Sequence, residues 1–242
     1  MGQRLMETRE PQQRHPVLIS FSGIDGAGKS TQIEHLESEL ARSGRRSYRL
    51  AFWDDVVVLK SIREGVTHKV FKSEKGIGAP GRPVMRRDKN VRAWYLSLFR
   101  SAFYLLDAIH LRLVVKRALR MQVDVIIFDR YLHDELANLS LENAVARAYI
   151  RFLAWLAPRP DLAMVLDADP AAACLRKPEY PVQFAERCRR TYLDMAALLG
   201  MTIIGPQPLP QAKAAVWTVA RRTLVPPIAE ERQFPVVARI PA

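Results

Sequence analysis

The chain has 242 residues, 49% of them hydrophobic and 26% charged; that length and balance fit one α/β domain with little left over and exclude wholesale disorder. No apolar run reaches the roughly 18 residues of a bilayer span, and Met1-Gly2-Gln3-Arg4 lacks the apolar stretch of a secretory signal, so a soluble, cytoplasmic protein is expected. A formal net charge of +12 fits either a site for polyanionic ligands or a basic surface with no specific partner. With no zinc-finger spacing and no aromatic RNA-binding signature, nucleic acid is not expected as the partner.

Residues 1–15 are polar and interrupted by proline, and read as a flexible basic arm. Val17-Leu18-Ile19-Ser20-Phe21 is a short run rich in apolar and β-branched residues, which predicts a buried strand. From Lys29 the period changes: Ile33, Leu36 and Leu40 recur at helical spacing until Ser43-Gly44. A second strand is expected through Tyr48, Leu50 and Phe52, ending at Trp53-Asp54-Asp55. Residues 72–89 gather basic side chains among glycines and prolines and predict a mobile basic loop. Residues 91–120 read as a helix whose core-facing stripe is Trp94, Leu98, Ala102, Leu105 and Ile109. Val123 to Phe128 predicts another buried strand, delivering Asp129-Arg130 at its end.

A helix over Leu141 to Leu156 follows, closed by Pro158 and Pro160. Leu162 to Leu166 reads as a strand ending at Asp167, with helix from Ala171 on; Cys174 and Cys188 fall there, without metal-ligand spacing, and are expected to be reduced and structural. Met201 to Ile204 is the last expected strand, before a closing helix near Gln211 to Thr223. Strands alternating with helices predict a parallel sheet covered on both faces. The expected organisation is a single domain over 16–225, followed by a Pro-rich tail over 226–242.

Gly23-Ile24-Asp25-Gly26-Ala27-Gly28-Lys29-Ser30 satisfies the phosphate-loop pattern of Gly, four residues, then Gly-Lys-Ser/Thr. Glycines let the backbone turn tightly and bring its N–H groups against phosphate oxygens. The helix that follows offers unsatisfied N–H donors and the positive end of its dipole. Lys29 then bridges the β- and γ-phosphates of ATP, and the Ser30 hydroxyl ligates Mg²⁺. The motif lies between a predicted strand and a predicted helix, as this chemistry requires. Asp129, at the C-terminal end of an apolar strand, either supports the magnesium site or caps a helix beginning near Leu132.

Gly23-Ile24-Asp25-Gly26-Ala27-Gly28-Lys29-Ser30-Thr31, Phe128-Asp129-Arg130-Tyr131, and Arg159-Pro160-Asp161-Leu162 leading to Leu166-Asp167-Ala168-Asp169-Pro170 together resemble bacterial thymidylate kinases, in order and approximate spacing, from residue 17 to about 220. The resemblance implies a P-loop NTPase fold of the nucleoside monophosphate kinase type: a three-layer architecture with helices on both faces of a parallel sheet. It also implies transfer of the ATP γ-phosphate to dTMP, with Mg²⁺. By the same resemblance, Asp25 lies near the acceptor sugar hydroxyl and Arg130 holds the acceptor phosphate. Arg176 opens a lid over 176–184 and faces ATP; without the resemblance it reads equally as a solvated helix residue.

Three departures stand out. Phe52-Trp53-Asp54-Asp55 replaces the family's Arg-Glu-Pro-Gly, and Asp107-Ala108 replaces an Asp-Arg pair on the long helix. The lid, Arg176-Lys177-Pro178-Glu179-Tyr180-Pro181, is short, although members with glycine at the Gly26 position normally carry several lid arginines. Catalytic expectations are therefore Lys29, Asp129, Arg130 and Arg176. ATP binding is expected from residues 23–31 and Arg176, and metal binding from Ser30 and Asp129. The acceptor side takes Asp25, Asp54, Asp55, Arg100, Tyr104 and Arg130. Other acceptors, or a slowly hydrolysing ATP-binding switch, remain as alternative readings, and a homodimer stays open.

Overall fold

The computed structural model describes residues 15–58, 94–139 and 141–224, with side chains of the long helix described from residue 101 onward. The N-terminal arm, the basic segment 72–89, the side chain of Arg100 and the C-terminal tail, each named in the sequence reading, lie outside the described residues. Five parallel strands form one sheet in the order β2-β3-β1-β4-β5. They are β1 (Val17–Ser22), β2 (Ser47–Ala51), β3 (Val125–Asp129), β4 (Leu162–Leu166) and β5 (Thr202–Ile204). The helices are α1 (Lys29–Arg42), α2 (Trp94–Ala118), α3 (Leu132–Leu136), α4 (Ala144–Leu156), α5 (Pro170–Arg176), α6 (Val182–Leu199) and α7 (Leu209–Leu224).

The central strands are apolar on both faces because both are covered. Ile19 and Phe21 of β1, with Val125 and Ile127 of β3, pack against Ile33, Leu36 and Leu40 of α1 and Val216 and Ala220 of α7. Leu18, Ile126 and Phe128 point the other way, into a second core with Tyr104, Ala108 and Leu111 of α2. Alternation along each strand thus feeds two cores, and the sheet is the partition between them. β1 and β3 run in register, Val17 opposite Val125 and Phe21 opposite Asp129. That register brings the phosphate loop and Asp129-Arg130 to the same sheet edge, where open parallel sheets bind ligands.

Four local expectations are corrected. The expected stripe of α2 is not its buried face: Ala102 is exposed and Ile109 is 46% exposed, whereas Tyr104, Ala108, Leu111, Val115 and Ala118 are buried. This helix is apolar around its circumference, so periodicity alone could not choose the face. β2 stops at Ala51, and Phe52–Val56 form a π-helical turn. Helix α4 starts at Ala144, not Leu141, because Asn143 caps it, its side chain accepting from Val145 N–H at 2.8 Å. The helix expected from Ala171 on is two helices, α5 capped by Asp169 and α6 entered through Pro181.

Candidate active site

The phosphate loop is a close approach of backbone to backbone. Gly23 has φ 142°, and a Cβ there would lie 2.6 Å from the Leu166 carbonyl oxygen at the end of β4. Gly26 has φ 80°, and its Cβ would lie 2.3 Å from the Ala173 carbonyl oxygen in α5. No side chain fits at either place, and the positive φ at both positions disfavours any L-residue. Gly28, in the left-handed conformation, ends the loop and caps α1. The first turn of α1 therefore opens into the cleft with its backbone donors and its positive dipole end.

A cleft of about 470 Å³ lies over this loop, lined by Gly26, Lys29, Ser30 and Thr31 on one side and Asp129, Arg130, Arg176 and Lys177 on others. Of the sequence-predicted ATP residues, Asp25, Gly26, Gly28, Lys29, Ser30, Thr31 and Arg176 share this cavity, whereas Gly23, Ile24 and Ala27 do not line it. Lys29 is only 8% exposed and donates from Nζ to the carbonyls of Gly23 at 2.8 Å and Ile24 at 2.9 Å. Burial, and secondarily the nearby Arg130 guanidinium, lower its pKa to about 8. A polyanion in the cleft would reverse that effect, since an opposing charge favours the ammonium form. The Arg176 guanidinium donates through Nε to Gly26 O at 2.8 Å, tying the end of α5 to the loop.

Asp129 and Arg130 leave β3 on opposite errands. Asp129 lines the cleft and is ion-paired with Arg49 of β2 at 2.6 Å. The cap of α3 is Tyr131, not Asp129, which removes the capping alternative. Arg130 has φ 66°, the one positive value at a non-glycine residue among the described residues. Its guanidinium is ion-paired with Asp25 of the phosphate loop and with Asp134 of α3. Burial opposes its charge, but Asp134, Tyr192 and Asp25 together raise its pKa.

Two parts of this framework escaped the sequence reading. Asp134 accepts from Ser22 Oγ at 2.6 Å, Tyr192 OH at 2.8 Å and Tyr131 N–H at 3.1 Å. Its place four residues after Arg130, between His133 and Glu135, was the only available signal. Arg189 of α6 grips Asp167 at the end of β4 with two bonds, at 2.6 and 2.8 Å, a pairing no local pattern announces.

The expected acceptor residues are less closely gathered. Asp55 accepts from Ala51 N–H at 2.7 Å and so closes the π-helical turn; Asp54 beside it is exposed. Neither lines the 470 Å³ cleft. Tyr104 is buried in the α2 core. Asp107 is fully buried and accepts from Val58 N–H at 3.0 Å, holding the chain after the turn against α2.

No family model matches the chain. It is 27% identical over 208 residues to a probable thymidylate kinase of Pyrobaculum aerophilum, covering 81% of this chain and 92% of that protein. It is 31% identical over 191 residues to a thymidylate kinase of Bifidobacterium longum subsp. infantis, covering 75% of this chain and 74% of that protein. The chain belongs to the thymidylate kinase family. The crystal structure of thymidylate kinase from Ehrlichia chaffeensis superposes with a TM-score of 0.54 at 18% identity, over 86% of this chain and 99% of that one. The fold is accordingly that of P-loop nucleoside monophosphate kinases, and the protein is an ATP-dependent nucleotide kinase. Among the described residues no helix is long and apolar enough to cross a membrane.

Proposed function

We propose that this kinase transfers the γ-phosphoryl group of ATP to the phosphate of a nucleoside monophosphate, with dTMP as the acceptor. The observation that carries the reading is the Arg130–Asp25 pair at the phosphate-loop cleft, beside buried Lys29. It supplies a cation for an acceptor phosphate and a carboxylate for an acceptor hydroxyl. The names of the relatives support dTMP in particular.

The residues present fit ATP. The glycine cradle admits no Cβ at Gly23 or Gly26, and its floor is a lysine whose charge an incoming polyanion would stabilise. Residues 23–31 would hold the phosphates through backbone N–H groups, and Lys29 would bridge the β- and γ-groups. Arg176 would face ATP from the end of α5. Ser30 and Asp129 line the same cleft and would hold magnesium from the protein side. Among the described residues no group of three or more His, Cys, Asp or Glu side chains gathers as a metal cage. When bound, Mg²⁺ neutralises charge between the β- and γ-phosphates. An oxygen of the acceptor phosphate attacks the γ-phosphorus as the bond to ADP breaks. Lys29 and Arg130 serve that step by positioning and by charge.

A second acceptor class, a nucleoside or another phosphorylated metabolite, is favoured by the other end of the site. Exposed Asp54 stands in the stretch that replaces the family's Arg-Glu-Pro-Gly, and buried Asp107 is followed by Ala108 in place of arginine. Of the acceptor candidates beyond Asp25 and Arg130, Asp54 and Arg100 stay in this role. Asp55 and Tyr104 are more simply structural. The deciding experiment is ADP formation from MgATP with dTMP, compared with a panel of nucleosides and other monophosphates. Turnover with dTMP at least about tenfold above every other acceptor is expected, a discrimination that one satisfied polar contact supplies. No stimulation by dTMP would overturn the choice of acceptor, and no stimulation by any acceptor would favour a slow ATPase.

A further inference from the structure

Arg130 is held in a conformation that its own backbone disfavours. A non-glycine residue at φ 66° is strained by the approach of its Cβ to the following carbonyl, and such strain persists only where surroundings over-determine it. Its N–H donates to Phe21 O at 2.9 Å, which continues the β1–β3 pairing and fixes the backbone alone. The guanidinium is fixed elsewhere, between Asp25 in the loop and Asp134 in α3.

Asp134 is built to be immobile. Its side chain is 3% exposed, so an ionised carboxylate there must be satisfied within the protein. It receives Ser22 Oγ–H, Tyr192 O–H, Tyr131 N–H and an Arg130 Nη1–H at 3.3 Å. Four donors saturate a carboxylate. They come from the end of β1, from α6, and from the turn after β3, three separately anchored elements. Helix α6 is itself fastened to the end of β4 by Arg189 and Asp167. Tyr192, three residues along, therefore reaches Asp134 from a fixed frame.

We infer that Asp134, braced by Tyr192 and Ser22, is the positioning residue for Arg130, orienting its guanidinium across the phosphate-loop cleft for the acceptor phosphate. This rests on the assignment of Arg130 to the acceptor phosphate made above. Asp25 lies in the loop that binds ATP and is 30% exposed at its side chain, so it is the partner an incoming anion can displace. Asp134 is buried behind and keeps its hold while that happens. The division of labour predicts that removing the Asp134 charge loosens Arg130 while the Lys29 bonds to Gly23 O and Ile24 O stay in place; Lys29 loses only the through-space support of that charge.

The test uses the full chain with Asp134→Asn, which keeps shape and removes charge, and Tyr192→Phe, which removes one hydroxyl from the far side of the carboxylate. With MgATP and dTMP, Asp134→Asn should lower kcat/KM for dTMP by at least about tenfold, mainly through KM, the scale of one charge-assisted bond. The Kd for ATP should change by less than the dTMP kcat/KM, because Asp134 acts on Lys29 only through space. Tyr192→Phe should shift the same parameter less, and the double variant should be no worse than Asp134→Asn alone, because both act through one carboxylate. Arginine side-chain NMR on the ligand-free protein needs no acceptor: Arg130 should show separate Nη signals in the original protein and averaged ones in Asp134→Asn. Unchanged guanidinium rotation in Asp134→Asn overturns the inference, whatever the acceptor proves to be. So does an unchanged dTMP kcat/KM where Arg130→Lys is impaired. If Arg130→Lys keeps full turnover, the assignment of Arg130 fails instead, and the NMR arm still decides whether Asp134 holds it. Should Asp134→Asn fail to fold, Tyr192→Phe carries the same two readouts.

Discussion

Gly26 and Gly28 offer a clean comparison within one loop. Both have φ in the left-handed range, 80° and 89°, but a Cβ at Gly26 would meet the Ala173 carbonyl at 2.3 Å while one at Gly28 would meet nothing within 4 Å. Alanine at either position takes on backbone strain of about 1–2 kcal/mol. Alanine at Gly26 must also push a helix backbone aside, an overlap worth about 1–3 kcal/mol more. For a domain of this size, each kcal/mol moves Tm by roughly 2–4 °C. Gly28→Ala should therefore melt roughly 2–8 °C below the original protein, and Gly26→Ala a further 2–12 °C or so lower. The assay is thermal unfolding without ATP, so that lost binding does not enter the result. Equal Tm losses in the two variants would refute the reasoning, because α5 would then yield freely and the close approach would carry no energy.

Lys29→Ala should lower phosphoryl transfer by about 10²–10³-fold while the chain still folds, and near-normal turnover would remove Lys29 from the mechanism. Burial holds Lys29 at about 8 against an ordinary 10.5, so between those values the unfolded chain binds more protons and folded stability rises with pH. In the ligand-free protein, Lys29→Met should therefore melt higher relative to the original at pH 7 than at pH 10; a gap independent of pH would contradict the lowered pKa. Asp55→Ala should cost about 0.5–2 kcal/mol in unfolding, the scale of a lost backbone cap, and leave acceptor turnover within about threefold; a loss near 10²-fold with unchanged Tm would return Asp55 to the acceptor site. Arg176→Ala should raise KM for ATP by roughly 10-fold or more, as expected for one charge-assisted contact, with KM for the acceptor nearly unchanged; the reverse pattern would place Arg176 on the acceptor side.

The ATP half of this site is legible in sequence because it is local. Strand, loop and helix follow one another within residues 17–42, and the chemistry fixes the spacing of Gly23, Gly28, Lys29 and Ser30. Asp129-Arg130 was legible too, since an apolar run announces the strand and its end announces the sheet edge. What stayed hidden depends on partners distant in the chain. Arg49 meets Asp129, Arg189 meets Asp167, and Tyr192 meets Asp134 only after the sheet assembles. The buried face of α2 was misread because both of its faces are apolar, leaving tertiary packing to choose. The acid pair after β2 looked like chemistry, yet Asp55 serves its own backbone in a turn that strand propensity does not foresee.

The dependence of the phosphate loop on α5 also orders events during synthesis. Gly26 and Arg176, which share a hydrogen bond, lie 150 positions apart in the chain. A ribosome adding about 5–20 residues per second completes the Gly-Lys-Ser signature roughly 8–30 s before it completes the helix that backs the loop. Through that interval the nascent chain carries the whole nucleotide-binding motif, but not the wall that shapes it. The shaped ATP site is thus acquired only once α5 has been made, although its signature is translated some 150 positions earlier.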